Sequence, residues 1–185
     1  MNHWQLKQAS AYIQQGGILA YPTEAVYGLG CDPYNPDAVL RLLKLKQRSI
    51  DKGLILVAAN YDQLDPFVMP LSNAIKRKVL ASWPGPITWI LPARPEVPHH
   101  LTGRHTSIAI RVSAHPVIKA LCTKIDQALV STSANISARP SARSALAVHA
   151  IFGQKIDYIL PGKLSGTGKP SEIRDALSGA IIRPG

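Results

Sequence analysis

The sequence predicts a single α/β domain: a twisted sheet of mixed parallel and antiparallel strands with flanking helices. Three observations point there. Short apolar runs that suit buried strands alternate along the chain with segments of helical periodicity. Some neighbouring strands are also suited to antiparallel pairing. At 185 residues the chain falls within the roughly 100–200 residues usual for one domain. It carries no internal repeat, low-complexity tract or dividing linker, so residues 1–185 read as one unit.

The elements follow in order. Trp4, Ala11, Tyr12 and Ile13 suit one face of an opening helix, which Gly16-Gly17 ends. Ile18 to Tyr21 is a buried strand stopped by Pro22. Asn35 caps a helix with Pro36 in its first position, and that helix runs to about Lys46. Leu54 to Ala58 is a buried strand, Leu71 to Ser82 a helix, and Trp83-Pro84-Gly85-Pro86 a turn. Thr88 to Leu91 and Ser107 to Val112 are strands, the second alternating at Ile108, Ile110 and Val112. Pro116 starts a helix with Val117, Ile118, Leu121 and Cys122 inward. Ala128 to Ser131 is a strand and Ser144 to Phe152 a helix; Tyr158 to Leu160, Glu172 to Leu177 and Ile181 to Arg183 are short strands.

Composition narrows the function classes. A hydrophobic content of 46% excludes general disorder. No apolar run approaches the ~18 residues of a membrane span, and Met1 to Gln15 lacks a secretory apolar core. Cys31 and Cys122 stand far apart with no CxxC, which fits a reducing cytoplasm better than a disulfide framework or zinc ribbon. The net charge is +10, from 21 Lys plus Arg against 11 Asp plus Glu. Charged residues are only 17%, below the roughly 25% of ordinary proteins, so the excess reflects missing acids. Anionic partners are implied: nucleotide, phosphate or nucleic acid.

Four segments carry the chemistry. In Tyr21-Pro22-Thr23-Glu24-Ala25-Val26-Tyr27-Gly28-Leu29-Gly30, a strand end exposes a hydroxyl, a carboxylate and a phenol before a Gly-x-Gly turn. It reads either as a site or as a capping loop. Lys44, Lys46, Arg48 and Lys52 gather at a helix end, as a solvated C-terminus or as a polyphosphate site. Lys46 and Arg48 converge only if the helix has ended between them. Val130-Ser131-Thr132-Ser133-Ala134-Asn135-Ile136-Ser137, with Ser141 beyond, offers uncharged donors and acceptors or is an ordinary polar turn. Gly162 to Ser171 fails as a P-loop: its spacing is one residue too long and Pro170 follows Lys169. It reads as a basic loop near a ligand. His99, His100 and His105 read as a solvated loop, and Lys76-Arg77-Lys78 as a solvated helix face. Ser131 or Ser133 with His115 and Asp126 makes a triad on paper only, without a nucleophile elbow.

Taken together, Tyr-Pro-Thr-Glu-x-Val-Tyr-Gly-Leu-Gly, Lys46-x-Arg48 and Ser133-x-Asn135, in this order and spacing, resemble the YrdC/TsaC family. Further matching stretches are Ser82 to Thr88, Ala109 to Val112 with His115-Pro116, Pro170 to Asp175, and Ile182 to Gly185. The resemblance runs from about Gly16 to the end and looks like the short, single-domain form. It implies a YrdC-like fold around a basic concave cavity. It also implies a nucleotidyltransferase reaction: L-threonine, bicarbonate or CO2, and ATP give threonylcarbamoyl-AMP and pyrophosphate. The product serves threonylcarbamoyladenosine formation next to the anticodon of tRNAs reading codons that begin with A, through downstream tRNA threonylcarbamoyl-transfer proteins. By this resemblance Thr23 helps hold threonine, and Lys46 and Arg48 line the nucleotide and acyl-phosphate site as the catalytic pair. Ser133 and Asn135 line the opposite wall. Ser131, Ser141, Ser171, Arg183 and Arg111 complete the expected threonine and ATP contacts. Mg2+ is expected on the ATP phosphates rather than in a protein cage. Two positions depart from the family pattern. Ala25 stands where many relatives carry Thr, and Glu172 follows Ser171 where Thr is commoner. The alternative is an accessory protein that binds tRNA or rRNA without catalysis. It rests on the +10 charge, but no RNA-reading signature accompanies it and aromatics are only 6%.

Overall fold

The structure, a computed structural model, describes residues 1–165 and 170–185. The part of the Gly162–Ser171 loop at 166–169 therefore lies outside the described residues. The chain opens with α1 (His3–Gln14), whose N-terminus is closed reciprocally: Gln5 N donates to Asn2 Oδ1 and Asn2 N to Gln5 Oε1. Its buried stripe is Ala9, Ser10 and Ile13. Trp4, expected on the inward face, is instead 62% exposed, because at about 100° per residue it lies on the side of the helix opposite Ile13.

Strand β1 (Leu19–Pro22) turns back directly into β2 (Tyr27–Cys31). The expected Gly-x-Gly turn is thus a strand, in which Gly28 pairs with Tyr21 and Gly30 with Leu19. Helix α2 (Pro36–Lys46) starts on Asn35, whose side chain accepts from Ala38 N, and ends where Gln47 turns left-handed at φ 52°. Then come β3 (Ile55–Ala58), α3 (Asn73–Leu80), β4 (Ile87–Pro92), the short α4 (His99–Thr102), β5 (Ser107–Val112) and α5 (Pro116–Ile125). Strand β6 (Leu129–Ser133), α6 (Ala145–Phe152), β7 (Tyr158–Ile159), β8 (Glu172–Asp175) and β9 (Ile181–Arg183) complete the chain.

The strands form one sheet in the order β7-β1-β2-β6-β3-β5-β4-β8-β9. Pairs β1/β7, β3/β5 and β4/β8 are parallel and the others antiparallel, which is the mixed sheet expected. Period-two alternation then divides the side chains between two faces. On one, Leu29, Leu56, Ile110, Val130 and Trp89 pack with residues of α2, α3, α4 and α6. On the other, Leu19, Tyr21, Val57 and Leu129 pack with α1 and α5. Ile55, Ser131, Ser133 and Arg111 share the parity of this second face, where they line a cavity. Among the described residues no helix is long and apolar enough to cross a membrane.

Candidate active site

The cavity holds about 720 Å³, within the ~300–1,000 Å³ usual for a small-molecule site. Thr23 and Glu24 enter from the β1–β2 turn and Arg48 from beyond α2. Arg111 comes from β5, and Ser131 and Ser133 from β6. Ser141, Ser171 and Arg183 complete the sequence-named residues on its surface. Residues separated by up to 160 positions therefore share one space.

Lys46 and Asn135, also named from the sequence, are not on that surface. Lys46 is 2% exposed. Its Nζ donates to Ser133 O, to Asn135 O at 2.8 Å and to Asn135 Oδ1 at 3.1 Å. The α2 C-terminus thus delivers this ammonium to carbonyl oxygens at the end of β6 and just beyond it. Asn135 is fixed from both ends, because Ser133 Oγ donates to Oδ1 at 2.7 Å and Nδ2 donates to Arg139 O at 2.6 Å. The left-handed turn at Gln47 is what separates the pair, sending Arg48 to the cavity while Lys46 donates to the end of β6. Burial, and then the neighbouring Arg48, push the Lys46 ammonium down to about 8.

Two further cavity cations, Arg48 and Arg183, each donate to a backbone carbonyl. Arg48 Nη2 donates to Gly53 O at 2.9 Å, while its buried Nε has no partner among the described residues. Burial lowers its pKa. Arg183 Nη2 donates to Ser171 O at 2.6 Å, and its pKa is lowered by burial and then by Arg111. Ser171 Oγ also meets Thr88 Oγ1 at 3.0 Å. Lys52 and His105 line the cavity as well, so His105 is not part of a wholly solvated loop.

Among these lining residues Glu24 is the one carboxylate. Arg111 holds it with two bonds, Nη1–Oε1 at 3.2 Å and Nη2–Oε2 at 3.3 Å, and Ser113 Oγ donates to Oε1 at 3.2 Å. Burial works to raise the Glu24 carboxyl, but Arg111, its backbone hydrogen bond and His115 together hold it below the usual carboxylate value. No local motif links Glu24 to Arg111, since 87 positions separate them. The alternation of Ser107–Val112 was the available signal: it puts Arg111 opposite Ile110 and Val112.

Thr23 Oγ1 donates to Val26 O at 2.6 Å, closing the hairpin turn. No hydrolytic triad is assembled. Ser131 Oγ accepts from Tyr21, Ser133 Oγ donates to Asn135, and His115 Nδ1 accepts from Val117 N at the start of α5. Nor do the residues suit a protein-held metal ion. Among the described residues no three His, Cys, Asp or Glu side chains group together, and the cavity's carboxylate is engaged by Arg111.

Comparison with known proteins identifies the family. The Sua5/YciO/YrdC family model, described as telomere recombination, matches residues 11–185. A Halorhodospira halophila protein named threonylcarbamoyl-AMP synthase is 51% identical over 180 residues, 97% of this chain and 94% of that one. A Coxiella burnetii protein of the same name is 49% identical over 178 residues, 96% of each chain. The crystal structure of P. abyssi Sua5 complexed with L-threonine matches with a TM-score of 0.92 at 33% identity. That match covers 100% of this chain and 55% of the other, so this chain spans little more than half that protein's length. With a family model spanning nearly all of it and relatives about half identical over almost their full length, the chain belongs to the Sua5/YciO/YrdC family.

Proposed function

We propose that this chain is a threonylcarbamoyl-AMP synthase, an enzyme that joins L-threonine, bicarbonate or CO2, and ATP with release of pyrophosphate. One observation carries the reading. The cavity gathers guanidinium and hydroxyl groups around a single carboxylate that is already paired, and relatives of that name match nearly the whole chain. All three substrates bring anionic oxygens, which further carboxylates would repel.

The chemistry follows in two bond-forming steps. The neutral threonine amine forms a C–N bond to CO2 with loss of a proton, or to bicarbonate with loss of water, giving a carbamate. A carbamate oxygen then attacks the α-phosphorus of ATP, and the α–β anhydride bond breaks to release pyrophosphate. Negative charge builds on phosphate oxygens during this step. Arg48, whose Nε has no partner among the described residues, and Arg183 are suited to stabilise it. Thr23, Ser133 and Ser141 orient the reactants, and the ammonium of Lys46 keeps the Ser133–Asn135 segment in place. Carbamates decompose in water, so enclosure by the walls favours the second step. Magnesium enters as part of the MgATP substrate.

Around the reaction we assign a place in tRNA modification. Threonylcarbamoyl-AMP passes to transfer proteins that make threonylcarbamoyladenosine. The +10 charge lends a weak, salt-sensitive affinity for RNA. Two free buried cysteines suit the reducing cytoplasm. The test is direct. Purified protein given MgATP and bicarbonate releases pyrophosphate only when threonine is added, and Arg48→Ala lowers that rate roughly 100-fold. Absent or threonine-independent release would overturn the reading.

A further inference from the structure

We propose that Tyr21 is a positioning residue: its buried phenol donates to Ser131 Oγ and so fixes Ser131 as a hydrogen-bond donor to an anionic oxygen of the bound substrate. This rests on the function proposed above, and it assigns a task to a side chain that does not line the cavity.

The path of the phenol is the first support. Tyr21 sits on β1 and is 0% exposed, yet its hydroxyl lies 2.9 Å from Ser131 Oγ on β6, with β2 between them. Two glycines of β2 make the crossing possible. A Cβ on Gly28 would come within 3.2 Å of Tyr21 Cε2. A Cβ on Gly30, which pairs with Ser131, would lie 2.9 Å from Tyr21 Cε1 and 3.0 Å from its hydroxyl oxygen. The Gly-x-Gly of the sequence is therefore a bare track for an aromatic ring.

Donor accounting is the second support. A phenol carries one hydrogen, and in the apolar packing around Tyr21 that hydrogen goes to Ser131. Ser131 thus accepts on its buried side, and its own hydrogen is left for the cavity it lines. Its neighbours are wired the other way. Thr23 Oγ1 spends its hydrogen on Val26 O, and Ser133 Oγ spends its hydrogen on Asn135 Oδ1. Those two hydroxyls offer lone pairs to a ligand, whereas Ser131 offers a proton. Without Tyr21 the Ser131 hydroxyl would rotate freely and lose this polarity.

The experiment is a double-mutant cycle with Tyr21→Phe, Ser131→Ala and the double variant. Kinetics of threonine-dependent pyrophosphate release are read alongside calorimetric binding of ATP and of threonine. Tyr21→Phe is expected to lower kcat/KM about three- to tenfold, the size of one neutral hydrogen bond, and Ser131→Ala about ten- to hundredfold, the size of one hydrogen bond to a charged oxygen. The double variant is expected to be no worse than Ser131→Ala, with affinity for one of the two ligands following the same pattern. Effects that multiply in the double variant would show that Tyr21 acts through the core, and would overturn the proposal. So would a Tyr21→Phe protein that matches the wild type, or one that fails to fold. A wild type lacking threonine-dependent release would count against the function itself; the binding cycle, with ATP as probe, would still decide the Tyr21–Ser131 coupling.

Discussion

At the scale of single residues, Lys46 sets the hardest energetic problem. Its ammonium is 2% exposed and its partners are carbonyl oxygens rather than a carboxylate. Three acceptors recover part of the lost hydration, but the charge itself stays uncompensated. Burial and Arg48 accordingly lower its pKa from 10.5 to about 8. The sign of the linked stability follows. Below pH 8 Lys46 is protonated in the folded and unfolded chains alike, and the cost of burying charge is fully present. Between about 8 and 10.5 the folded chain has released this proton while the unfolded chain still binds it, so stability rises with pH. Measured against Lys46→Met, the wild type should gain up to about 3 kcal/mol across that window. Denaturant midpoints at pH 7, 8, 9 and 10 check this, and a flat difference between the two proteins would refute it. Taking the difference cancels the titration of every other group.

At the scale of elements, the β1–β2 hairpin and β6 act as one unit because Tyr21 spans them. Alanine at the two β2 glycines should separate the causes. In Gly30→Ala the new Cβ meets Val130 O at 2.6 Å, a backbone atom that cannot move aside, as well as the Tyr21 ring. In Gly28→Ala it meets the Thr23 methyl at 3.1 Å and the Tyr21 ring at 3.2 Å. Gly30→Ala is expected to destabilise by about 2–3 kcal/mol and Gly28→Ala by about 1 kcal/mol, on the overpacking scale. Urea midpoints read both, and equal losses would contradict the assignment. This hairpin also marks where the sequence stopped being legible. Helix α2 was readable because Asn35-Pro36 is a local capping signal, and β5 because Ile108, Ile110 and Val112 alternate. Neither needs a distant partner. Strand β2 looked like a turn because its two glycines answer to a ring on another strand, a contact absent from local order. The same holds for Lys46: its helix end could be read, but not the left-handed Gln47 that turns it away from Arg48. The site residues were legible as motifs, whereas the hydrogen bonds that give each hydroxyl its polarity were not.

At the scale of the whole molecule, two groups among the 21 Lys and Arg residues have separable consequences. Arg48, Lys52, Arg111 and Arg183 line the cavity. Lys76, Arg77 and Lys78 stand exposed on α3, with Lys76 Nζ 5.2 Å from the Tyr61 ring centroid and Lys78 Nζ 5.1 Å from that of Trp89. The aromatic faces hold two of the three cations close to the surface, where a polyanion backbone can meet them. Binding through such a patch is driven by counterion release, so affinity for a single-stranded RNA should fall linearly on a log–log plot against salt. Each neutralised phosphate contributes about −0.7 to the slope. Reversing all three charges with Lys76→Glu, Arg77→Glu and Lys78→Glu should therefore flatten the slope by about 2. The same variant should leave threonine-dependent pyrophosphate release unchanged, because none of the three lines the cavity. Fluorescence anisotropy across 50–300 mM salt measures the first effect and a pyrophosphate assay the second. An unchanged slope would mean that RNA meets the molecule elsewhere. A lost catalytic rate would mean that the two populations of charge are not separate.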